Sequence, residues 1–213
     1  VAQVTFLAII LCAGRAIRLG GTRKQLLSLP DGDTLLSRQM RQVHSRGGRA
    51  VVVAIDKALQ DYALWGGASV FVPERHEWTV ETLLSTEPIW DRRRTVVLLG
   101  DVLYSKPVMD DICSREINLA VWSNQAEVFA LSFTDRFWTG ILLGLHETVR
   151  LARDGVSAGK LRSACQVMFP SPHGVLVGDH TRDFDLPEHV RAFRREVVQQ
   201  NRLDDLREKR HEG

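Results

Sequence analysis

The sequence predicts an α/β fold, a mostly parallel central sheet flanked by helices within a single domain, and three observations carry that prediction. Short runs of Val, Ile and Leu recur along the chain, each bounded by Gly, Pro or charge, as strands buried on both faces require. Segments with helical spacing alternate with them, which is the order that produces a helix-covered parallel sheet. At 213 residues and 44% hydrophobic the chain is long enough for one sizeable core.

Taken in order, the strand-like runs of the first half are Val4 to Leu11, Ala50 to Ile55, Ser69 to Val72 and Thr95 to Leu99. A helix is predicted from Thr34 to His44 after the Asp31-Gly32 turn, and another from Thr79 to Leu84, carrying on towards Trp90. The character then changes, with strands over Leu119 to Trp122 and Glu127 to Phe133 and a longer helix over roughly Phe137 to Arg153. One more strand, Gly174 to Val177, precedes a charged C-terminal helix from Pro187 onward, and Ala158 to Arg162 reads as a flexible loop. The final stretch interleaves Arg194, Arg195, Arg202, Arg207 and Lys209 with acidic residues, the pattern of a solvated helix laced with ion pairs or of a homodimer contact.

Charge and cysteine usage narrow the class. A net charge of +2 argues against a dedicated nucleic-acid binder while leaving room for local cationic sites. Cys12, Cys113 and Cys165 are odd in number and without paired spacing, so neither a disulfide framework nor a cysteine zinc site is indicated, and a reducing, cytoplasmic setting is expected. The apolar start lacks the cationic leader of an export signal, and the apolar stretch Phe137 to Leu145 breaks at His146 and Glu147, well short of a membrane span.

Residues Leu11 to Leu27, LCAGRAIRLGGTRKQLL, carry the functional signal. Arg15, Arg18, Arg23 and Lys24 crowd onto a small-residue loop directly after the opening strand, and four cations so placed repel one another unless an anion lies between them. A polyphosphate cradle is the economical reading; cations facing water from a plain connector are the competing one. A Walker A loop is excluded because Gln25 follows Lys24, and a dinucleotide fingerprint because Ala16 stands where its second glycine is needed.

This segment resembles the signature of the nucleotidyltransferases with a glycosyltransferase-A-like, Rossmann-like fold, in words Leu-x-Ala-Gly-x-Gly-x-Arg, a short glycine-containing spacer, then Pro-Lys-x-Leu-Leu. Leu11, Ala13, Gly14, Arg18, Lys24, Leu26 and Leu27 match, and Ala16 and Arg23 depart from it. The family includes sugar-phosphate, phosphocholine and methylerythritol-phosphate nucleotidyltransferases and the molybdenum-cofactor guanylyltransferase. The resemblance divides the domain into a nucleotide-binding half, residues 1–110, an acceptor-binding half, residues 111–187, and the C-terminal helix, residues 188–213.

Ligands of open parallel sheets bind at the carboxyl ends of the strands, so residues just after a strand matter most. The resemblance implies that Leu11, Cys12, Ala13, Gly14 and Arg15, with Gly100 after a later strand, contact the nucleotide. It implies that Asp101, Asp185 and, as a supporting ligand, Asp183 bind Mg²⁺. Each carboxylate has a plainer reading: Asp101 as a turn residue, and Asp185 with Glu188 and Pro187 as a helix start. Arg18 would hold the β- and γ-phosphates and Lys24 would lie against the α-phosphate, while an acceptor phosphate oxygen attacks in line and displaces pyrophosphate. Such an anionic nucleophile needs no general base, in keeping with histidines that show no ligand spacing.

The acceptor side is less legible. Glu127, Trp138 and Lys160 are its candidates, against a solvated loop lysine and a core tryptophan as the plain readings. Trp122 and Trp138 would offer aromatic faces to a cationic acceptor such as choline. Thr79 and Glu81 lie where the family reads the base, although ordinary helix-start residues account for both. The partners implied are a nucleoside triphosphate and a phosphorylated small molecule, with neither nucleic acid nor membrane. Two other functions remain open at this point: a glycosyltransferase using Asp183-Phe184-Asp185 as an Asp-x-Asp, and a non-catalytic nucleotide-binding module.

Overall fold

Alternation along the apolar runs decides which helices cover which face of the sheet. The computed structural model describes residues 5–14, 23–115, 117–124, 126–168, 174–178, 181–183, 192 and 195. Its elements in chain order are β1 (Phe6–Leu11), α1 (Leu35–His44), β2 (Gly48–Val53), α2 (Lys57–Trp65), β3 (Ser69–Phe71), α3 (Thr79–Ser85), β4 (Thr95–Leu99), β5 (Val102–Leu103), α4 (Lys106–Ser114), β6 (Leu119–Ser123), β7 (Val128–Phe133), α5 (Trp138–Arg153), α6 (Leu161–Met168), β8 (Gly174–Leu176) and β9 (Arg182–Asp183). Single 3-10 turns cover Lys24–Leu26, Glu87–Ile89 and Asp135–Phe137.

In β1, Phe6, Ala8 and Ile10 pack with Leu36, Met40 and Val43 of α1, Leu59 and Ala63 of α2, and Met109 and Ile112 of α4. The alternate residues Leu7, Ile9 and Leu11 pack with Val80 and Leu83 of α3, Ile141 and Leu145 of α5, and Leu161 and Ala164 of α6. The result is a three-layer sandwich of helices on both faces of one sheet. Strand order is β3-β2-β1-β4-β7-β6-β8, and β7 alone among these runs antiparallel to its neighbours β4 and β6. The mostly parallel sheet in a single α/β domain is therefore as the sequence predicts. None of the described helices is long and apolar enough to cross a membrane.

Local signals explain most boundaries. Helix α1 begins one residue after Thr34 because Thr34 is its cap: the Thr34 hydroxyl accepts from the Ser37 amide at 3.1 Å, and the Ser37 hydroxyl accepts from the Thr34 amide at 2.8 Å. β2 starts and ends two residues before the expected Ala50 to Ile55, since Asp56 already caps α2 through the amides of Ala58 and Leu59. Helices α2, α4 and α6 are additions to the predicted set. The loop expected to be flexible, Ala158 to Arg162, is a correction. A Cβ on Gly159 (φ +62°) would overlap Trp78, the Val80 amide donates to the Gly159 carbonyl at 3.2 Å, and α6 starts at Leu161. The C-terminal helix lies outside the described residues except for Ala192 and Arg195, both helical.

One buried cation ties the layers together. The Arg94 guanidinium, next to Phe6 at 5.4 Å from the ring centroid, donates to Ser132 Oγ at 2.9 Å, to the Cys113 carbonyl at 2.8 Å and to the Ile112 carbonyl. It satisfies the last turn of α4, whose carbonyls have no intrahelical donor. Arg94→Met keeps the stem but orphans these acceptors, and a loss of about 2–4 kcal/mol is expected by urea denaturation, with turnover of the remaining folded chain unchanged.

Candidate functional site

Strands β2 and β4 flank β1 on opposite sides, so the sheet order reverses there and a crevice opens at their carboxyl ends. Leu11 registers with Val53 of β2 and with Leu99 of β4, which brings the residues after each strand to one rim. The Cys12 amide donates to the Val53 carbonyl at 2.8 Å and the Gly100 amide to the Leu11 carbonyl at 3.0 Å. Leu11, Cys12 and Ala13 are buried, and the chain reaches solvent at Gly14.

The Gly100-Asp101 turn is held from several directions. The buried Gln39 amide of α1 donates to the Leu99 carbonyl at 3.1 Å and to the Val102 carbonyl at 2.7 Å, bracketing the turn. The Tyr104 hydroxyl accepts from the Leu99 amide at 3.0 Å and donates to the Phe129 carbonyl at 2.5 Å. Burial, with the Asp101 charge adding to it, keeps the Tyr104 phenol and the Cys12 thiol well above their ordinary ranges, so both stay protonated and Cys12 is no nucleophile. A Cβ on Gly100 would overlap Cys12 Sγ and sit 2.9 Å from the Leu11 carbonyl oxygen. Gly100→Ala is therefore expected to cost about 1–3 kcal/mol of stability, and Cys12→Ala in the same chain to recover part of it, both read by denaturant unfolding.

Lys24, seventy-seven residues away in sequence, meets this turn: its Nζ lies 3.1 Å from Asp101 Oδ2, with side-chain exposures of 11% and 26%. Its neighbour Arg23 pairs with Asp56 beyond the end of β2, Nε to Oδ2 at 2.8 Å. Burial tends to raise the Asp56 carboxyl, but the Arg23 bond and the Leu59 and Ala58 amides outweigh it and hold it below the usual carboxylate range. Two of the four cations that suggested a cradle thus have carboxylates of this chain as partners, which amends the argument that only a ligand anion could reconcile them. Arg15 and Arg18 lie outside the described residues.

The Asp183 backbone pairs with Val102, so β9 runs beside the residue that follows Asp101. Asp185 lies outside the described residues. Among the described residues no group of three or more His, Cys, Asp or Glu is gathered for a metal ion. A partly exposed carboxylate at the carboxyl end of the sheet fits Mg²⁺ nonetheless, because that ion takes hard oxygen from one or two carboxylates and the remainder from substrate phosphates and water.

Glu127 and Lys160 come together as an ion pair, Oε1 to Nζ at 2.7 Å. They stand on the same rim: Ala130 registers with Leu98, so β7 begins level with the end of β4 and Glu127 just precedes it. Trp138 is a correction. It is edge-on to Trp90 at 6.0 Å, Trp90 is edge-on to Phe133 at 4.8 Å, and Phe133 registers with Thr95 at the start of β4. Roughly 13 Å of strand separates that end from the rim, so Trp138 is a core residue of the opposite end. Trp122 is fully buried, with its indole N–H donating to Asp111 at 2.7 Å, and presents no face to a ligand. The Glu81 carboxylate is buried against Arg153 at 3.0 Å. Sequence reasoning missed Gln39, Tyr104 and the Arg23–Asp56 pair; for Gln39 no local signal exists, as its role depends on a crossover that brings α1 under β4.

Comparison with known proteins agrees with this fold. A family model described as a MobA-like NTP transferase domain matches residues 8–181. Among solved structures, the CTP:phosphocholine cytidylyltransferase from Streptococcus pneumoniae is similar with a TM-score of 0.63 at 11% identity, over 90% of this chain and 99% of that one. A UDP-glucose pyrophosphorylase complexed with UDP-glucose gives 0.63 at 11% identity over 92% and 99%, and the inositol-1-phosphate CTP transferase from T. maritima 0.60 at 13% over 92% and 98%. At these identities the likeness is one of fold. No curated protein sequence matches the chain.

Proposed function

The chain belongs to the MobA-like NTP transferase domain family and is a nucleotidyltransferase, and from that premise we propose a specific reaction: Mg²⁺-dependent transfer of a nucleoside monophosphate from its triphosphate to a phosphorylated small molecule, a sugar 1-phosphate, phosphocholine or a polyol phosphate, with release of pyrophosphate. The observation that carries this reading is the meeting of Lys24 and Asp101 at 3.1 Å on the rim where the sheet order reverses. A cation and a carboxylate from distant segments, side by side at a ligand crevice, are what a metal-bound polyphosphate needs. The phosphorylated substrates named for the phosphocholine and inositol-1-phosphate enzymes of like fold support the acceptor class.

In this reading Asp101 and Asp185 would hold a magnesium ion, which when bound would supply charge neutralisation on the nucleotide phosphates. Lys24 lies against the α-phosphate, fixed by its turn at Lys24–Leu26, and Arg18 takes the β- and γ-phosphates. The backbone of Leu11 to Gly14, with Gly100 hydrogen-bonded to Leu11, would contact the nucleotide together with Arg15. Lys160 and Glu127, on the same rim two strands from β1, are assigned to the acceptor. An acceptor phosphate oxygen attacks the α-phosphorus, the bond to the α–β bridging oxygen breaks, and its electron pair leaves with pyrophosphate. No proton has to be removed, so positioning and charge stabilisation suffice.

A pyrophosphate-release screen of the four common nucleoside triphosphates against sugar 1-phosphates, phosphocholine and polyol phosphates tests the proposal. One base with one acceptor class should release pyrophosphate in step with product. Release from no combination, or sugar transfer from a nucleotide sugar without pyrophosphate, would overturn it.

A further inference from the structure

Arg23 and Lys24 are consecutive, yet their side chains reach opposite sides of β1: Arg23 to Asp56 beyond β2, and Lys24 to Asp101 beyond β4. The two side chains therefore straddle the carboxyl end of β1, at the rim where the sheet order reverses. We propose that the Arg23–Asp56 ion pair is a tether that positions Lys24 at that rim, a role that rests on the nucleotidyl-transfer reading above.

The carboxylate is set before Arg23 arrives. Asp56 Oδ1 accepts from the Ala58 amide at 2.8 Å and the Leu59 amide at 3.3 Å as the cap of α2, which leaves Oδ2 aimed at the Arg23 Nε. Less side-chain freedom is lost on pairing than in an ordinary surface ion pair. On the other side, Arg23 starts the Lys24–Leu26 turn without any side-chain cap, its carbonyl accepting from the Leu26 amide at 3.0 Å, while the Leu27 amide donates to the Lys24 carbonyl at 3.0 Å. Anchoring the Arg23 side chain therefore anchors the backbone from which the Lys24 stem departs. A lysine has a flexible stem, and small displacements of a charge-stabilising group are costly in rate. Arg23 acts only through Lys24 and is a positioning residue.

The test uses the full chain with two readouts. Arg23→Ala and Asp56→Asn, the second of which retains a good helix cap, should each speed hydrogen exchange of the Leu26 and Leu27 amides by about 3- to 5-fold, and the double variant should be no faster than either. Each should lower kcat by about 3- to 10-fold with KM for both substrates nearly unchanged, and high salt should close the gap to the native chain, which a packing role would not allow. Arg23 has φ −72°, so Arg23→Pro fixes the backbone without charge and should restore slow exchange and most of the turnover. Native exchange in Arg23→Ala, or additive effects in the double variant, overturns the tether. Exchange is read without substrate, whereas a native chain that releases no pyrophosphate overturns the transferase reading instead.

Discussion

Lys24→Ala is expected to lower kcat for pyrophosphate release by at least about 10²-fold while the chain still folds. The magnitude follows from the role: a preorganised cation beside the α-phosphate is used most when charge accumulates in the transition state, and loss of one such donor typically costs about 10²- to 10³-fold. KM for the triphosphate should change much less, since metal and Arg18 would still hold the outer phosphates. Lys24→Arg should not rescue fully, because a planar fork replaces a compact ammonium in a space where only 11% of the Lys24 side chain is exposed. Steady-state kinetics with a thermal-melt control checks all three statements. Unchanged turnover in a folded Lys24→Ala chain would remove Lys24 from the mechanism and leave the Lys24–Asp101 pair a structural contact.

How far the sequence could be read depended on the range of the interaction. Strands β1 and β4 were legible because each is an apolar run buried almost throughout, whereas the short edge strand β3 is exposed to half-buried; α1 was legible from the Asp31-Gly32 turn ahead of it, and the Thr34–Ser37 capping box fixes where it starts. Helix α2 was harder: it buries only Leu59 and Ala63, too few for a clear stripe, although Asp56 stood ready as its cap. For α4 the signal was present and overlooked, with Ser105 capping ahead of Pro107 in the first turn. The meeting of Lys24 with Asp101 was legible only through the family motif, since no local spacing relates residues so far apart. Nothing local announced that Arg23, which replaces the motif proline, would find Asp56 thirty-three residues on. Trp138 was misplaced for a reason available in principle. β6 and β7 form a hairpin, so β7 runs away from the rim, and a helix that follows it must begin at the far end of the sheet.

Asp101→Asn separates the charge of the rim carboxylate from its shape. The amide is nearly isosteric and its oxygen can still accept from Lys24 Nζ, and the turn is held independently by Gln39, Tyr104 and the Gly100 amide, so the fold should survive. A neutral amide is a far poorer ligand for Mg²⁺ than a carboxylate. The Mg²⁺ concentration for half-maximal rate should therefore rise by about 10-fold or more, and kcat/KM at limiting metal fall by about 10²-fold or more, in keeping with the several kcal/mol that a phosphate-bound ion contributes. Titration of pyrophosphate release with Mg²⁺ in the native and Asp101→Asn chains reads both numbers, and added metal should recover part of the loss. That recovery matters, because a capping or turn role predicts a different pattern: a lower melting temperature and a metal response identical to the native one. An Asp101→Asn chain that melts early yet titrates normally would reassign Asp101 to the turn and leave the metal without its proposed ligand after β4.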